Sequence, residues 1–154
     1  MPKEIERKFL IANDGWKAGV QRSSFFAQGY LSYDTERTVR VRETDTHGFL
    51  TVKGLTVGLS RDEFEYEIPK DEAVELLKMC EHPPIQKRRY FVAHEGHLWE
   101  VDVFEGANEG LEVAEIELSR EDEEFVRPEW LGEEVSGDRR YSNSSLSLVP
   151  YKNW

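Results

Sequence analysis

Glu4, Glu6 and Lys8 stand two residues apart in the stretch Glu4-Ile5-Glu6-Arg7-Lys8-Phe9-Leu10. Along a β-strand, where side chains alternate between faces, that spacing gathers two carboxylates and an ammonium on one face and puts Ile5, Phe9 and Ile11 on the other. One such strand is ordinary, because a surface strand turns its charges to solvent. Here the pattern recurs as Arg40/Arg42, Thr51/Lys53, Glu63/Glu65, Lys87/Arg89, Glu100/Asp102 and Glu115/Glu117. Val39, Val41, Val52, Phe64, Tyr66, Val101, Val103 and Ile116 take the opposite parity. Nearly every strand therefore has one charged face.

Sorting these residues by sign indicates what they could bind. Lys8, Arg40, Arg42, Lys53, Lys87 and Arg89 form a basic set suited to a multiply charged oxyanion, arginine as a bidentate fork and lysine as a point charge. Glu4, Glu6, Asp102, Glu115 and Glu117 are hard oxygen donors, suited to Mg2+ or Mn2+ bridging to phosphate oxygens. Zinc competes poorly: His94-Glu95-Gly96-His97 lacks the H-E-x-x-H spacing, and His47 and His82 are isolated. Gly54-Leu-Thr-Val-Gly58 lacks the Gly-Lys-Ser/Thr ending of a phosphate loop and leads into no helix, so it reads as a flexible loop.

The elements that must position these side chains are short strands. Ranges 3–12, 24–33, 37–43, 49–53, 60–68, 85–93, 97–105 and 110–118 read as strands, most of them joined at hairpin spacing, with Gly29 marking a bulge. A helix is predicted over 71–81, where Ala73, Leu76, Leu77 and Cys80 follow the helical period and Pro83-Pro84 stops it. Ser119 suggests a cap for a second, short helix through Val126. Residues 16–20 read as an irregular connector and the tail beyond 136 as mildly apolar. The fold class is mainly β (α+β): an eight-stranded antiparallel closed barrel in one domain, 1–154. With the charged faces inward, the aliphatic faces need helices outside. Such an interior must be wet and hold ions, since a buried unpaired charge costs several kcal/mol.

Composition narrows the partners. A net charge of −11 over 154 residues argues against nucleic acid and against anionic membranes, so any anionic partner must meet a local basic cluster. Cys80 is the single cysteine, reads as core filler and fits a reducing compartment. No apolar leader and no run of 18 apolar residues is present, which points to a cytoplasmic protein. Whether the domain pairs as a homodimer is left open by one sequence.

Together the motifs resemble those of the CYTH superfamily, the triphosphate tunnel metalloenzymes. Glu4-Ile5-Glu6-Arg7-Lys8 matches the Glu-x-Glu-x-Lys signature. The likeness runs on, in order, through Gln28-Gly29-Tyr30-Leu31, Arg40-Val41-Arg42, Thr51-Val52-Lys53, Glu63-Phe64-Glu65, Lys87-Arg88-Arg89-Tyr90, Glu100-Val101-Asp102, Glu115-Ile116-Glu117 and Asp138-Arg139-Arg140-Tyr141-Ser142-Asn143. The resemblance implies an eight-stranded tunnel that binds triphosphate and divalent metal. It assigns Glu4, Glu6, Asp102, Glu115 and Glu117 to metal, and Lys8, Arg40, Arg42, Lys53, Lys87 and Arg89 to phosphate. Glu63, Glu65 and Glu100 become interior acids that hold the arginines. In the tail motif Arg140 is preferred as a further phosphate ligand, with Arg139 the alternative.

The expected activity is metal-dependent hydrolysis of inorganic tripolyphosphate or a small organic triphosphate. Two sources of the nucleophile stay open: water activated by metal, or a lysine base. The second supposes that Lys8 and Lys87 lie close enough to depress one another's pKa, with Tyr30 nearby. A class IV-type adenylate cyclase would use the same tunnel but needs an adenine pocket. A non-catalytic polyphosphate- or nucleotide-binding module would gain little from the acidic set.

Overall fold

The computed structural model describes residues 2–154. Among them the alternating stretches form nine strands: β1 (Lys3–Ile11), β2 (Val20–Ser32), β3 (Thr38–Thr44), β4 (Gly48–Lys53), β5 (Ser60–Ile68), β6 (Ile85–His94), β7 (His97–Phe104), β8 (Glu112–Glu117) and β9 (Leu131–Glu134). Their order is β5-β4-β3-β2-β6-β7-β8-β1-β9, and a further β5–β1 pairing closes the sheet. Eight strands thus make an antiparallel barrel. The N-terminal end of β1 pairs with β5 and its C-terminal end with β9, so β9 takes over the edge that β5 leaves. Tight turns set the register. At Glu95-Gly96, between β6 and β7, φ is 47° and 81°, the positive values that a two-residue hairpin of this twist needs.

Outside the barrel, the aliphatic parity is covered in two ways. Helix α1 (Lys70–Lys78) lays Ala73 and Leu77 on Ala27 and Val41, with Phe25, Leu50, Ile68 and Leu76 around them. Gly48 permits that approach, since a Cβ there would sit 2.7 Å from that of Ala73. Elsewhere the cover is irregular chain. Trp16, on a short 3-10 turn capped by Asn13, and Phe125, Trp130 and Leu131 pack on Phe9, Val92, Trp99, Val101 and Ile116. Trp99 meets Phe9, Phe125 and Trp130 edge-on, with centroids 5.7, 5.5 and 5.7 Å apart.

Several expected elements differ. The second strand begins at Val20, not 24, because residues 20–23 pair with β6. No helix spans 119–126. The Ser119 N–H and Oγ–H both donate to Glu123 Oε1, at 2.7 and 2.6 Å, and that side-chain closure replaces a helical turn. Two elements were not anticipated, β9 and the helix α2 (Asn143–Leu148), and α2 is not part of the outer cover. Its Leu146 is fully buried against Ile85, Phe104, Leu111 and Val113, with Leu10, Tyr141 and Tyr151 beside them. Ile85, Phe104, Val113 and Leu10 share the parity of Lys87, Asp102, Glu115 and Lys8, so this cluster plugs the barrel from within beneath β6, β7, β8 and β1.

Candidate active site

The inward parity of the strands carries the charges, and they divide into a closed half and an open half. In the closed half, Arg89 and Asp102 stand opposite each other on β6 and β7. Arg89 grips Asp102 with two parallel bonds, Nε to Oδ1 at 2.7 Å and Nη2 to Oδ2 at 2.9 Å, while its Nη1 donates to Glu100 at 3.0 Å. Lys87 Nζ donates to Asp102 Oδ2 at 2.7 Å and to Asn143 Oδ1 at 3.0 Å. Gln28 Nε2 shares that Asn143 oxygen at 3.0 Å, and Gln28 Oε1 accepts from Arg42 Nε at 2.9 Å. One polar network therefore runs Arg42–Gln28–Asn143–Lys87–Asp102–Arg89. Lys87 and Asp102 are 0 % exposed, so the centre of this half is dry and held by ion pairs, contrary to the expectation of a wet interior.

The open half is a cavity of about 560 Å³ lined by Glu4, Glu6, Lys8, Tyr30, Arg40 and Lys53. Its mouth is framed by Thr35 of the β2–β3 turn, by Leu55–Leu59 between β4 and β5, and by the segment from Val135 to Leu148. Lys53 Nζ donates to both oxygens of Glu4, at 2.9 and 3.2 Å, and lies 3.2 Å from Glu63. Lys8 Nζ donates to the Tyr141 carbonyl and is 3.5 Å from Glu115. Arg40 reaches Thr51 and Glu65 with Nη2 at 3.2 and 3.4 Å, but its buried Nε has no acceptor among the described residues. Arg42 has no carboxylate within 4.0 Å among them and rests on the Phe26 ring, 4.5 Å from its centroid. Loss of solvent, with Arg40 and Arg89 adding repulsion, pushes its pKa down to about 9, so it stays charged at neutral pH.

The two lysines do not act on one another as supposed. Burial drops Lys87 to about 7 against the pull of Asp102, with Arg89 and Arg42 adding to the fall. Lys8 also loses solvent, yet Glu115, Glu6 and Asp102 outweigh that and hold its pKa above the ordinary value. Mutual depression is therefore not the arrangement. Arg140 also departs from its expected place. It lies outside the cavity, clamped on Asp138 at 2.7 Å and stacked 4.8 Å from the Trp154 ring, whereas Arg139 lines the cavity mouth. Gln28 and Asn143 hold the network together but carry no charge to flag them. Arg61 lines the cavity too, and its shared parity with Glu63 and Glu65 was the signal for it.

A family model described as the CYTH domain matches residues 2–150. The chain belongs to the CYTH family. It is 50% identical over its whole length to a protein of Acetivibrio thermocellus named inorganic triphosphatase, covering 99% of that relative. A protein of Nitrosomonas europaea with the same name is 38% identical over 94% of this chain and 97% of its own. A crystal structure of an inorganic triphosphatase superposes with a TM-score of 0.70 at 36% identity and covers 96% of each chain. The likeness thus extends to the fold as well as the sequence.

In this CYTH domain the acids differ from one another in what they have left to give. Asp102 spends both oxygens on Lys87 and Arg89, and those cations keep its pKa low in spite of burial. Glu6 stands opposite Glu117 across β1 and β8, and Glu100 opposite Glu115 across β7 and β8, pairings that repel. Burial, with Glu115 and Glu4 adding repulsion, puts Glu6 well above the carboxylate range. Burial, then Glu4 and Glu100, raise Glu117, and burial together with Glu4 brings Glu63 to about 7. Among the described residues no three acidic, histidine or cysteine side chains converge as a ready-made cage. The donor set still fits Mg2+ or Mn2+, because such an ion takes one or two carboxylates and completes its shell with water and substrate phosphates.

Proposed function

We propose that this CYTH domain is a metal-dependent triphosphatase that hydrolyses inorganic tripolyphosphate. The observation that carries the reading is the Arg40–Arg42 pair, neighbouring interior guanidiniums of which one has an orphaned buried Nε and the other no carboxylate partner. A sequestered cation without a counter-charge is costly, so the site is completed by a polyanion. The names of the two relatives support the inorganic substrate.

Catalysis of phosphoryl transfer is mostly positioning and charge stabilisation, and the side chains divide that work. Arg40, Lys53 and Lys8 hold the phosphate chain in the open half, and Arg42, on the same face of β3 as Arg40, adds positive charge from the network behind them. Lys87 and Arg89 form the positive wall behind it, fixed by Asp102 and Glu100. Glu63 and Glu65 set the rotamers of Lys53 and Arg40. Tyr30, buried on the cavity wall, excludes water from the bound chain. Glu4, Glu6, Glu115 and Glu117 are the metal carboxylates, with Asp102 in support. Bound there, Mg2+ or Mn2+ would neutralise phosphate oxygens and lower the pKa of an attacking water. All of these groups lie in one closed sheet, which we take as a single domain, and we place it in the cytoplasm, where Cys80 stays reduced.

Incubation with tripolyphosphate, ATP and thiamine triphosphate plus magnesium, with assay of phosphate and cyclic AMP, tests the proposal. Phosphate should come chiefly from tripolyphosphate. Cyclic AMP as the main product would make the protein a cyclase, and binding without turnover would make it a non-catalytic module.

A further inference from the structure

Arg61 lies on β5 directly opposite Glu4 of β1, yet Glu4 gives both oxygens to Lys53. Arg61 consequently has no carboxylate within 4.0 Å among the described residues. Its Nε and Nη2 donate to the Gly54 carbonyl at 3.1 and 2.9 Å, and Nη2 also to Thr38 Oγ1 at 3.3 Å. These bonds fix the guanidinium in place and leave Nη1 unengaged. Arg139, on the 3-10 turn Arg139–Tyr141, also has no ion-pair or hydrogen-bond partner for its side chain among the described residues. Its neighbour Arg140 takes Asp138 instead.

Both arginines line the same cavity as Lys8, Arg40 and Lys53, which are all paired with acids. The lining therefore holds five cations against the three carboxylates of Glu4, Glu6 and Asp138. Its uncompensated charge sits at the mouth. Arg61 is one side-chain repeat beyond Glu63 on the same face, a step of about 7 Å along the strand. That places it past Lys53, in line with an anion extending outward from the interior cations.

We propose that Arg61 and Arg139 form an outer phosphate subsite at the cavity mouth, which holds the terminal phosphate of a linear triphosphate and sets its preference over pyrophosphate. The inference rests on the triphosphatase reading. Two phosphoryl groups fill the interior positions; the third reaches the mouth and takes the free donors of a braced arginine and an exposed one.

Calorimetric titration of the metal-free protein with tripolyphosphate and with pyrophosphate tests it. Arg139→Gln and Arg61→Gln should each weaken tripolyphosphate about tenfold, the scale of one lost charge-assisted contact, and change pyrophosphate by less than about twofold. Arg61 also braces the β4–β5 loop, so Arg139→Gln, on an exposed turn, decides the matter if Arg61→Gln folds poorly. Equal losses for both anions, or none for either, overturn the subsite while wild-type binding of tripolyphosphate leaves the triphosphatase reading in place. A wild-type protein that binds neither anion overturns both.

Discussion

At the scale of single residues, the site is defined by which charges the chain has balanced and which it has left over. Asp102 is saturated and Arg42 is not, although both were legible from parity alone. Arg42→Ala should weaken tripolyphosphate about 10- to 100-fold, since a hydrogen bond to a charged group contributes about 1.5–3 kcal/mol. The same change should cost little ligand-free stability, because relief of the uncompensated charge offsets the lost bond to Gln28 and contact with Phe26; a large drop in stability with unchanged affinity would make Arg42 structural. Glu123 offers a pH test away from the site. Hydrogen bonds from Ser119 and contact with His97 hold its pKa near 2 against an ordinary 4.5. A depressed carboxylate stabilises the folded state above its unfolded pKa and loses that contribution as pH falls through its folded one. Denaturation midpoints of the wild type and Glu123→Gln should therefore differ above pH 4.5 and converge towards pH 2; parallel curves throughout would dismiss the clip.

At the scale of elements, the strands were legible because charge and aliphatic residues alternate with period two over nearly all of them. The rest obeyed other rules. Ser119 and Glu123 have the residue types of a helix start, but their side chains close on each other, and nothing in the sequence distinguishes that from a cap. Helix α2 has only six residues, too few to show a period, and β9 is four residues held by pairing with β1. Helix α2 also shapes the site, because it seats Asn143 on Lys87 and Leu146 in the plug. Arg139 and Arg140 were indistinguishable by type, and only the turn they occupy separates them. Leu146→Ala should cost about 2–5 kcal/mol, the range for emptying a packed position, read as a shift in denaturant midpoint. A loss below about 1 kcal/mol would mean that the plug is not a packed core.

At the scale of the whole molecule, a barrel with surplus cations inside one half and mutually repelling acids beside them is frustrated until ligands arrive. A polyanion that binds only the folded state should stabilise it by about 2.7 kcal/mol at a hundredfold excess over its dissociation constant. In chelated buffer the melting temperature should rise most with tripolyphosphate, less with pyrophosphate and least with phosphate; equal rises would indicate general salt stabilisation. The most direct test of a metal-dependent triphosphatase is phosphate release from tripolyphosphate by one protein sample in magnesium, after chelation, and after magnesium is restored. Release should stop on chelation and return with the metal. Release indifferent to chelation, or none with either magnesium or manganese present, would contradict it.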